Sequence, residues 1–264
     1  MRRPERLRVA TYNLLHGIDL RTGSVDLEAA GQAIAGLGAD VVAVQEVDRG
    51  LQRTGYVDQV RHLAERLGWH GAFAAALLGD PDTRWTAYQP GVEEGPAYGV
   101  GLLSRWPLQG VEQLLLPGGG DGERGPGASP SNPGWDHEPR VALAASVELG
   151  SGSVRVTTTH LSYMPWRGVA QLRAAASFAA RGGPSALIGD LNLPAWGTRL
   201  ALAGTGWTHA GGAPTYPAWD PRIQTDQVLV TGGLAVHDVT IGARATSDHL
   251  PLLATLKWPA NPPG

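Results

Sequence analysis

The chain has no cysteine, a single lysine (Lys257) among its 21 basic side chains, and only two methionines and two phenylalanines in 264 residues. Without cysteine there can be no disulfide, no thiolate zinc site and no cysteine nucleophile. Long hydrophobic runs are also missing, and none approaches the ~18 residues that a membrane-spanning helix needs. The opening Met1-Arg2-Arg3-Pro4-Glu5-Arg6 leads into a strand-like run, not a signal-peptide core. The expectation is a soluble, cytoplasmic protein. Charge of one sign is lacking too: 24 acidic side chains against 21 basic ones leave a formal −3. That balance supplies no general electrostatic reason to bind nucleic acid or anionic lipid. What is present is a hydrophobic content of 42%, enough for a substantial core.

Short β-like runs alternate with helical stretches. Strands are expected at 7–13, 41–45, 98–104, 111–116, 141–147, 154–159, 186–189, 225–230, 234–240 and 250–256. Helices are expected from an Asp26 cap to about Leu37, at 57–67 ending on Gly68, and at 166–180. The stretch 41–45 is apolar almost throughout, as in a strand covered on both faces. A turn through Gly150 to Gly152 would join 141–147 to 154–159, and 204–221 reads as a loop rich in Gly, Pro and Trp. Residues 117–139 are loaded with Gly, Pro, Asp and Ser and lack periodicity, which predicts a long surface loop. Its Trp135, His137 and Glu138 make it a candidate lid over a site. No linker divides the chain, so 1–264 is read as one α/β domain with layered sheets.

Chemistry-bearing residues gather at the ends of these runs. The first strand ends at Asn13, the second runs into Glu46, 154–159 is followed by His160, and 186–189 by Asp190-Leu191-Asn192. Ser247-Asp248-His249 opens the last strand. In layered α/β proteins ligands collect at strand ends and on the loops leaving them, so these positions can converge. Singly, each has an ordinary use. A carboxylate at a strand end closes turns, an Asn bonds to its own turn, and a buried His can be a packed core residue.

Together and in this order, Thr11-Tyr12-Asn13, Val44-Gln45-Glu46, Thr159-His160-Leu161, Gly189-Asp190-Leu191-Asn192, Thr225-Asp226-Gln227 and Ser247-Asp248-His249 resemble the endonuclease/exonuclease/phosphatase (DNase I-like) superfamily. The stretches 98–105 and 138–143 match as well. The resemblance runs from Arg8 to Leu256 and implies a four-layer α/β/β/α sandwich of two packed mixed β-sheets, with the site at one rim. Two departures stand out: Leu191 where the family usually has Phe, and Thr225 and Gln227 flanking Asp226 in place of the family's aliphatic and aromatic or His neighbours.

The resemblance implies a divalent-metal-dependent hydrolase that cleaves phosphoester, in the first instance phosphodiester, bonds by direct attack of water. Magnesium favours oxygen ligands and commonly uses one or two carboxylates, and manganese accepts the same donors. Glu46 is then the principal ligand, with Asn13 and Asp248 bound directly or through water. Asp190 would orient and deprotonate the water, Asn192 hold a phosphate oxygen, and His160 donate to the phosphate. His249, paired with Asp226, would be the second acid/base or phosphate-binding group, and whether Asp190 or His249 takes the proton stays open. Arg140 and Arg222 flank the motifs and are candidate phosphate contacts; Trp166, Trp196 and Trp219 are candidates for stacking on substrate. The expected partner is a phosphoester substrate handled by a monomer. A DNA endonuclease or exonuclease of the same superfamily is the nearest alternative, disfavoured by the net charge. A catalytically silent scaffold with this fold is the alternative from another class, opposed by the intact ionisable set.

Overall fold

Two-sided burial is written into the strand Val41–Arg49. Val41 and Ala43 enter one hydrophobic cluster while Val42 and Val44 enter another. Successive side chains of a strand point to opposite faces, so such a run belongs to a sheet covered on both sides.

The computed structural model describes residues 6–91, 95–123, 136–149 and 152–258. In chain order its elements are β1 (Arg6–Asn13), β2 (Ile18–Asp19), β3 (Ser24–Val25), α1 (Leu27–Leu37), β4 (Val41–Arg49), α2 (Gln59–Leu67), β5 (His70–Gly79), β6 (Arg84–Ala87), β7 (Ala97–Ser104), β8 (Gln109–Leu115) and β9 (Gly122–Glu123). The second half contributes β10 (Val141–Leu149), β11 (Gly152–His160), α3 (Pro165–Ala179), β12 (Ser185–Asp190), α4 (Ala195–Ala201), β13 (Thr208–His209), β14 (Asp226–Thr231), β15 (Ala235–Ile241) and β16 (Leu252–Lys257). An eight-stranded sheet has the order β15-β16-β1-β4-β7-β5-β6-β9, and a six-stranded sheet the order β13-β14-β12-β11-β10-β8. Both are mixed: β1 runs parallel to β4 and β11 parallel to β12, while the other principal pairings are antiparallel.

Three apolar layers hold the sandwich together. The central one joins Val9, Val41 and Leu102 of the first sheet to Leu143, Val156 and Ile188 of the second. Ile34 of α1 and Leu63 of α2 pack on the outer face of the first sheet, and Leu172 and Phe178 of α3 on that of the second. The order is therefore helix, sheet, sheet, helix. Among the described residues no helix is long and apolar enough to cross a membrane.

Most element expectations match to within a few residues. Asp26 caps α1 by accepting from Ala29 N at 2.8 Å. The helix expected from Val57 starts at Gln59, because Asp58 caps it and accepts from Arg61 N. β5 goes beyond the sequence expectation: its Ala-rich, weakly alternating run gives little strand signal, yet it lies between β7 and β6. The turn at Gly150, residues 124–135 of the long loop and Trp135 of the candidate lid lie outside the described residues. The described ends of that loop are tied down: Trp85 Nε1 donates to Gly120 O at 3.1 Å, and Gln171 Nε2 to Pro117 O at 3.1 Å.

Candidate functional site

Strand register assembles the site. Parallel pairing of β11 with β12 sets His160 opposite Asp190, and antiparallel pairing of β12 with β14 sets Asp190 opposite Asp226. Three polar residues thus stand in a row across three adjacent strands. In the other sheet, Asn13 at the end of β1 pairs with Gln45 of β4. The next residue, Glu46, occupies a β-bulge against β7, with the register shifting between Gln45 and Val47. Glu46 has φ 53°, a conformation rarely adopted by a side-chain-bearing residue. Bulges re-aim side chains at functional rims, and here the extra residue turns a carboxylate out of the alternation of β4.

Asn13 links the sheets. Its Nδ2 donates to Glu46 Oε1 at 2.9 Å and to Asp190 Oδ2 at 3.1 Å, while its Oδ1 accepts from Leu15 N at 3.0 Å. The Leu15 bond fixes which end of the amide faces the acids: it is the nitrogen, which cannot bind a cation. Below this level, Thr11 Oγ1 donates to Gln45 Oε1 and Gln45 Nε2 to Thr158 Oγ1, each at 3.0 Å, so a second polar bridge spans the sheets.

His249 sits between two acids. Its Nδ1 donates to Asp226 Oδ2 at 2.8 Å, and its Nε2 lies 3.7 Å from Asp190 Oδ2. Burial opposes a charge on this ring, but Asp226 and then Asp190 outweigh it and lift the imidazole to about 10. His160 is the opposite case. Burial, with Arg140 and His249 nearby, drives it well below the usual histidine value. A neutral His160 accepts at Nε2 from Asn192 Nδ2 at 3.0 Å. Asn192, at φ 49°, also donates from Nδ2 to Leu161 O at 2.9 Å, so both its amide hydrogens are engaged.

Burial raises Asp190, with opposition from His249, and its Oδ1 accepts from Asn192 N at 3.0 Å. Burial also raises Glu46 to about 7, opposed by Asn13 and reinforced by Asp248 and Glu138. Asp248 thus lies within electrostatic reach of Glu46, and it acts on His249 as well. Asp190, Asp226 and His249 have ligand-type atoms all within 4.8 Å of one another. Their direct contacts already make them an acid–imidazolium–acid group, whereas Glu46 and Asp248 feel His249 only at longer range and form no salt bridge among the described residues.

The remaining sequence candidates fare differently. Arg140 is 5% exposed and pairs with Asp136 Oδ2 at 3.4 Å and Glu138 Oε1 at 3.3 Å, so it lies within the protein beside His160 and not on an open rim. Arg222 is exposed, pairs with Asp220 two residues away and makes no described contact with the cluster. Trp166 in the first turn of α3, Trp196 in the first turn of α4 and Trp219 in the loop before β14 are all exposed, at 68, 69 and 57%. Sequence reasoning passed over Tyr216, whose ring centroid lies 4.8 Å from that of His249. Its only signal was an aromatic residue inside a Gly/Pro-rich loop.

Comparison with known proteins agrees with this architecture. A sequence profile of the Endonuclease/Exonuclease/phosphatase family matches residues 10–249. No curated protein sequence matches. Among solved structures, the chain is similar to an endonuclease/exonuclease/phosphatase from Beutenbergia cavernae (TM-score 0.73, 24% identity, covering 98% of this chain and 72% of that one). It is also similar to a Bacteroides thetaiotaomicron mannosyl-6-phosphatase (TM-score 0.66, 16% identity, covering 96 and 100%). A third is a humanised D. rerio TDP2 (TM-score 0.63, 15% identity, covering 96 and 100%). With the profile spanning every named polar residue of the rim, from Asn13 to His249, and with the layered sheets in place, the chain belongs to the endonuclease/exonuclease/phosphatase family and carries its phosphoesterase fold.

Proposed function

We propose that the protein is a divalent-metal-dependent phosphoester hydrolase acting by direct attack of water. The observation that carries this reading is the convergence of Asn13, Glu46, His160, Asp190, Asn192, Asp226 and His249 on one rim from both sheets. A phosphate ester resists attack because its oxygens are anionic, so catalysis requires positive charge and a positioned water. The His249 imidazolium, held by Asp226, meets the first need. Asp190, its carboxylate made more basic by burial, meets the second by accepting the proton of the attacking water. Asn192 would bind phosphate by exchanging its hydrogen bond to His160 for one to a phosphoryl oxygen, and His160 would donate to the phosphate from the tautomer that carries its proton on Nε2.

Magnesium or manganese fits beside Glu46. The donors there are oxygens, and a carboxylate pushed to about 7 by burial and a neighbouring acid is one whose charge a cation would stabilise. Glu46 and Asp248 would hold the ion, while Asn13, presenting its amide nitrogen, would orient Glu46 instead of ligating directly. When bound, such an ion polarises a phosphoryl oxygen and stabilises the leaving oxygen.

A small phosphoester suits the surface better than a polynucleotide. Arg53 is taken up by Asp48, Asp80 and Asp82, Arg140 by Asp136 and Glu138, and Arg222 by Asp220. These three arginines are already paired, and the formal −3 of the chain gives no general attraction to a phosphate backbone. The experiment is hydrolysis of bis-p-nitrophenyl phosphate with magnesium, manganese or chelator, with Glu46→Ala as control. Metal-dependent turnover abolished by the substitution is expected, and turnover that persists in chelator would overturn the metal-dependent reading.

A further inference from the structure

Among the described residues of β4, Glu46 alone pairs with neither neighbouring strand. β1 leaves β4 after the Asn13–Gln45 pair, and the register against β7 skips from Gln45 to Val47. On the β1 edge, pairing resumes only at Arg49, which bridges Asp58 at the start of α2. Glu46 thus stands in a gap of the sheet spanning residues 46–48, with φ 53°. A non-glycine residue keeps such a conformation only where its surroundings over-determine it.

A glutamine from the outer helix fills the gap. Gln59, the first residue of α2, is fully buried. Its Oε1 accepts from Asp48 N at 2.9 Å, and its Nε2 donates to His16 O at 2.7 Å. The amide takes the place of the departed strand, without which Asp48 N would be a buried donor left unpaired. Its other end holds a second strained segment, since Leu15, His16 and Gly17 have φ of 47°, 44° and 78°. Two amides clasp this turn: Asn13 Oδ1 accepts from Leu15 N, and Gln59 Nε2 donates to His16 O. The same two amides hold Glu46, Asn13 by donating to its carboxylate and Gln59 through the backbone two residues on. The contacts close a circuit through Asn13, Leu15, His16, Gln59, Asp48 and Glu46.

Asp48 is itself a fixed point. Its carboxylate accepts from Arg53 Nε at 2.8 Å, from Arg53 Nη2 at 2.7 Å and from Thr54 Oγ1 at 3.1 Å. Serving both ends of the gap requires one donor and one acceptor on a single uncharged group, which an amide supplies. An ionised glutamate could accept from Asp48 N but would face the His16 carbonyl oxygen without a hydrogen. Both ends of the Gln59 amide are used on backbone, so it has no oxygen to offer a cation. We propose that Gln59 is a positioning residue for the metal: it fixes the backbone from which Glu46 presents its carboxylate, and so sets the affinity for magnesium or manganese. The inference rests on the metal-dependent reading above and deepens it.

The test is direct binding of manganese to the substrate-free protein, read from the EPR signal of the free ion. Gln59→Met keeps the length of the side chain and removes both bonds. Gln171→Met is the matched control. Gln171 is also fully buried and also bridges two backbone groups, accepting from Ser162 N at 2.8 Å and donating to Pro117 O at 3.1 Å, but it serves α3 and the second sheet. The Kd for manganese is expected to rise about tenfold in Gln59→Met and to stay within roughly twofold of wild type in Gln171→Met. Both variants lose buried hydrogen bonds and should melt lower. A Kd unmoved by Gln59→Met, or raised equally by both substitutions, would overturn the inference, the latter by showing general loosening. Gln59→Asn, one methylene shorter, keeps a polar group but cannot span both partners. It gives the same comparison should Gln59→Met prevent folding, and an unmoved Kd there overturns the inference as well. Glu46→Ala separates the two failures. Wild-type manganese affinity in that variant would remove Glu46 as a ligand and overturn the metal-site reading with the inference. Binding lost in Glu46→Ala but unmoved in Gln59→Met would overturn the positioning role alone.

Discussion

Asn13 Nδ2 lies 3.1 Å from Asp190 Oδ2, a hydrogen bond between residues 177 positions apart and on different sheets. The same nitrogen donates to Glu46, so one neutral amide holds two buried acids at a set separation without adding charge. Replacing Asn13 with Ala should therefore loosen both at once. Hydrolysis of bis-p-nitrophenyl phosphate is expected to fall by about 10- to 100-fold, the usual cost of losing a group that orients ligands and bases. The melting temperature recorded alongside should fall by a few degrees, because Leu15 N and both acids lose a buried partner. A variant with near wild-type kcat/KM would show that this bond does not organise the site.

Asp226 acts through His249. Asp226→Asn removes the charge that holds the imidazolium but keeps the shape, and turnover should fall by roughly 100-fold or more, by analogy with orienting acids elsewhere. The NMR titration of His249 is the more specific readout. Its midpoint, held at about 10 in the wild type, is expected to move down toward the ordinary histidine range. An unchanged midpoint would mean that Asp190 alone sustains the charge.

Glu46 couples metal to stability. Its folded-state value of about 7 lies above its ordinary 4.5, so the folded protein binds the extra proton. The associated stability is present below pH 4.5 and lost as pH rises toward 7. In chelator, urea unfolding should show a decline on the order of 2 kcal/mol across that window. Magnesium or manganese should restore the loss, and Glu46→Gln should flatten the profile. A metal-free protein whose stability is constant over this window would remove Glu46 as the strained group.

Gly189 precedes Asp190 and lies opposite Thr159 in the parallel pairing of β11 with β12. A Cβ there would stand 2.0 Å from the Thr159 carbonyl oxygen, a backbone atom that cannot swing away. Gly189→Ala is expected to cost more than about 2 kcal/mol in unfolding free energy. Relief of the clash would have to part the two strands that carry His160 and Asp190, so activity should fall as well. Wild-type stability in this variant would mean that the strands separate there at little cost.

Much of the architecture is local and therefore readable from the chain. The two-sided apolar runs of β4, β10 and β12, the Asp26 cap and the order of polar strand ends rest on neighbours within a few residues, where hydrophobic period and turn chemistry act directly. β5 was not readable because a run of alanines carries almost no period, and its place comes from pairing with β7, whose glycines admit a close neighbour.

At the site, residue identities came from the sequence, but their chemical states did not. Only tertiary packing makes His160 neutral and His249 cationic: burial penalises both rings and Asp190 lies near both, but His249 alone is bonded to Asp226, while His160 faces Arg140 and His249. Only packing turns Arg140 inward onto Asp136 and Glu138, and only the bulge at Glu46 aims that carboxylate out of its strand. The sequence by itself determined which groups end the strands. The separation, orientation and charge of those groups depend on neighbours distant in sequence, 23 residues away for Asp226 beside His249 and 177 for Asn13 beside Asp190, and so belong to the folded protein alone.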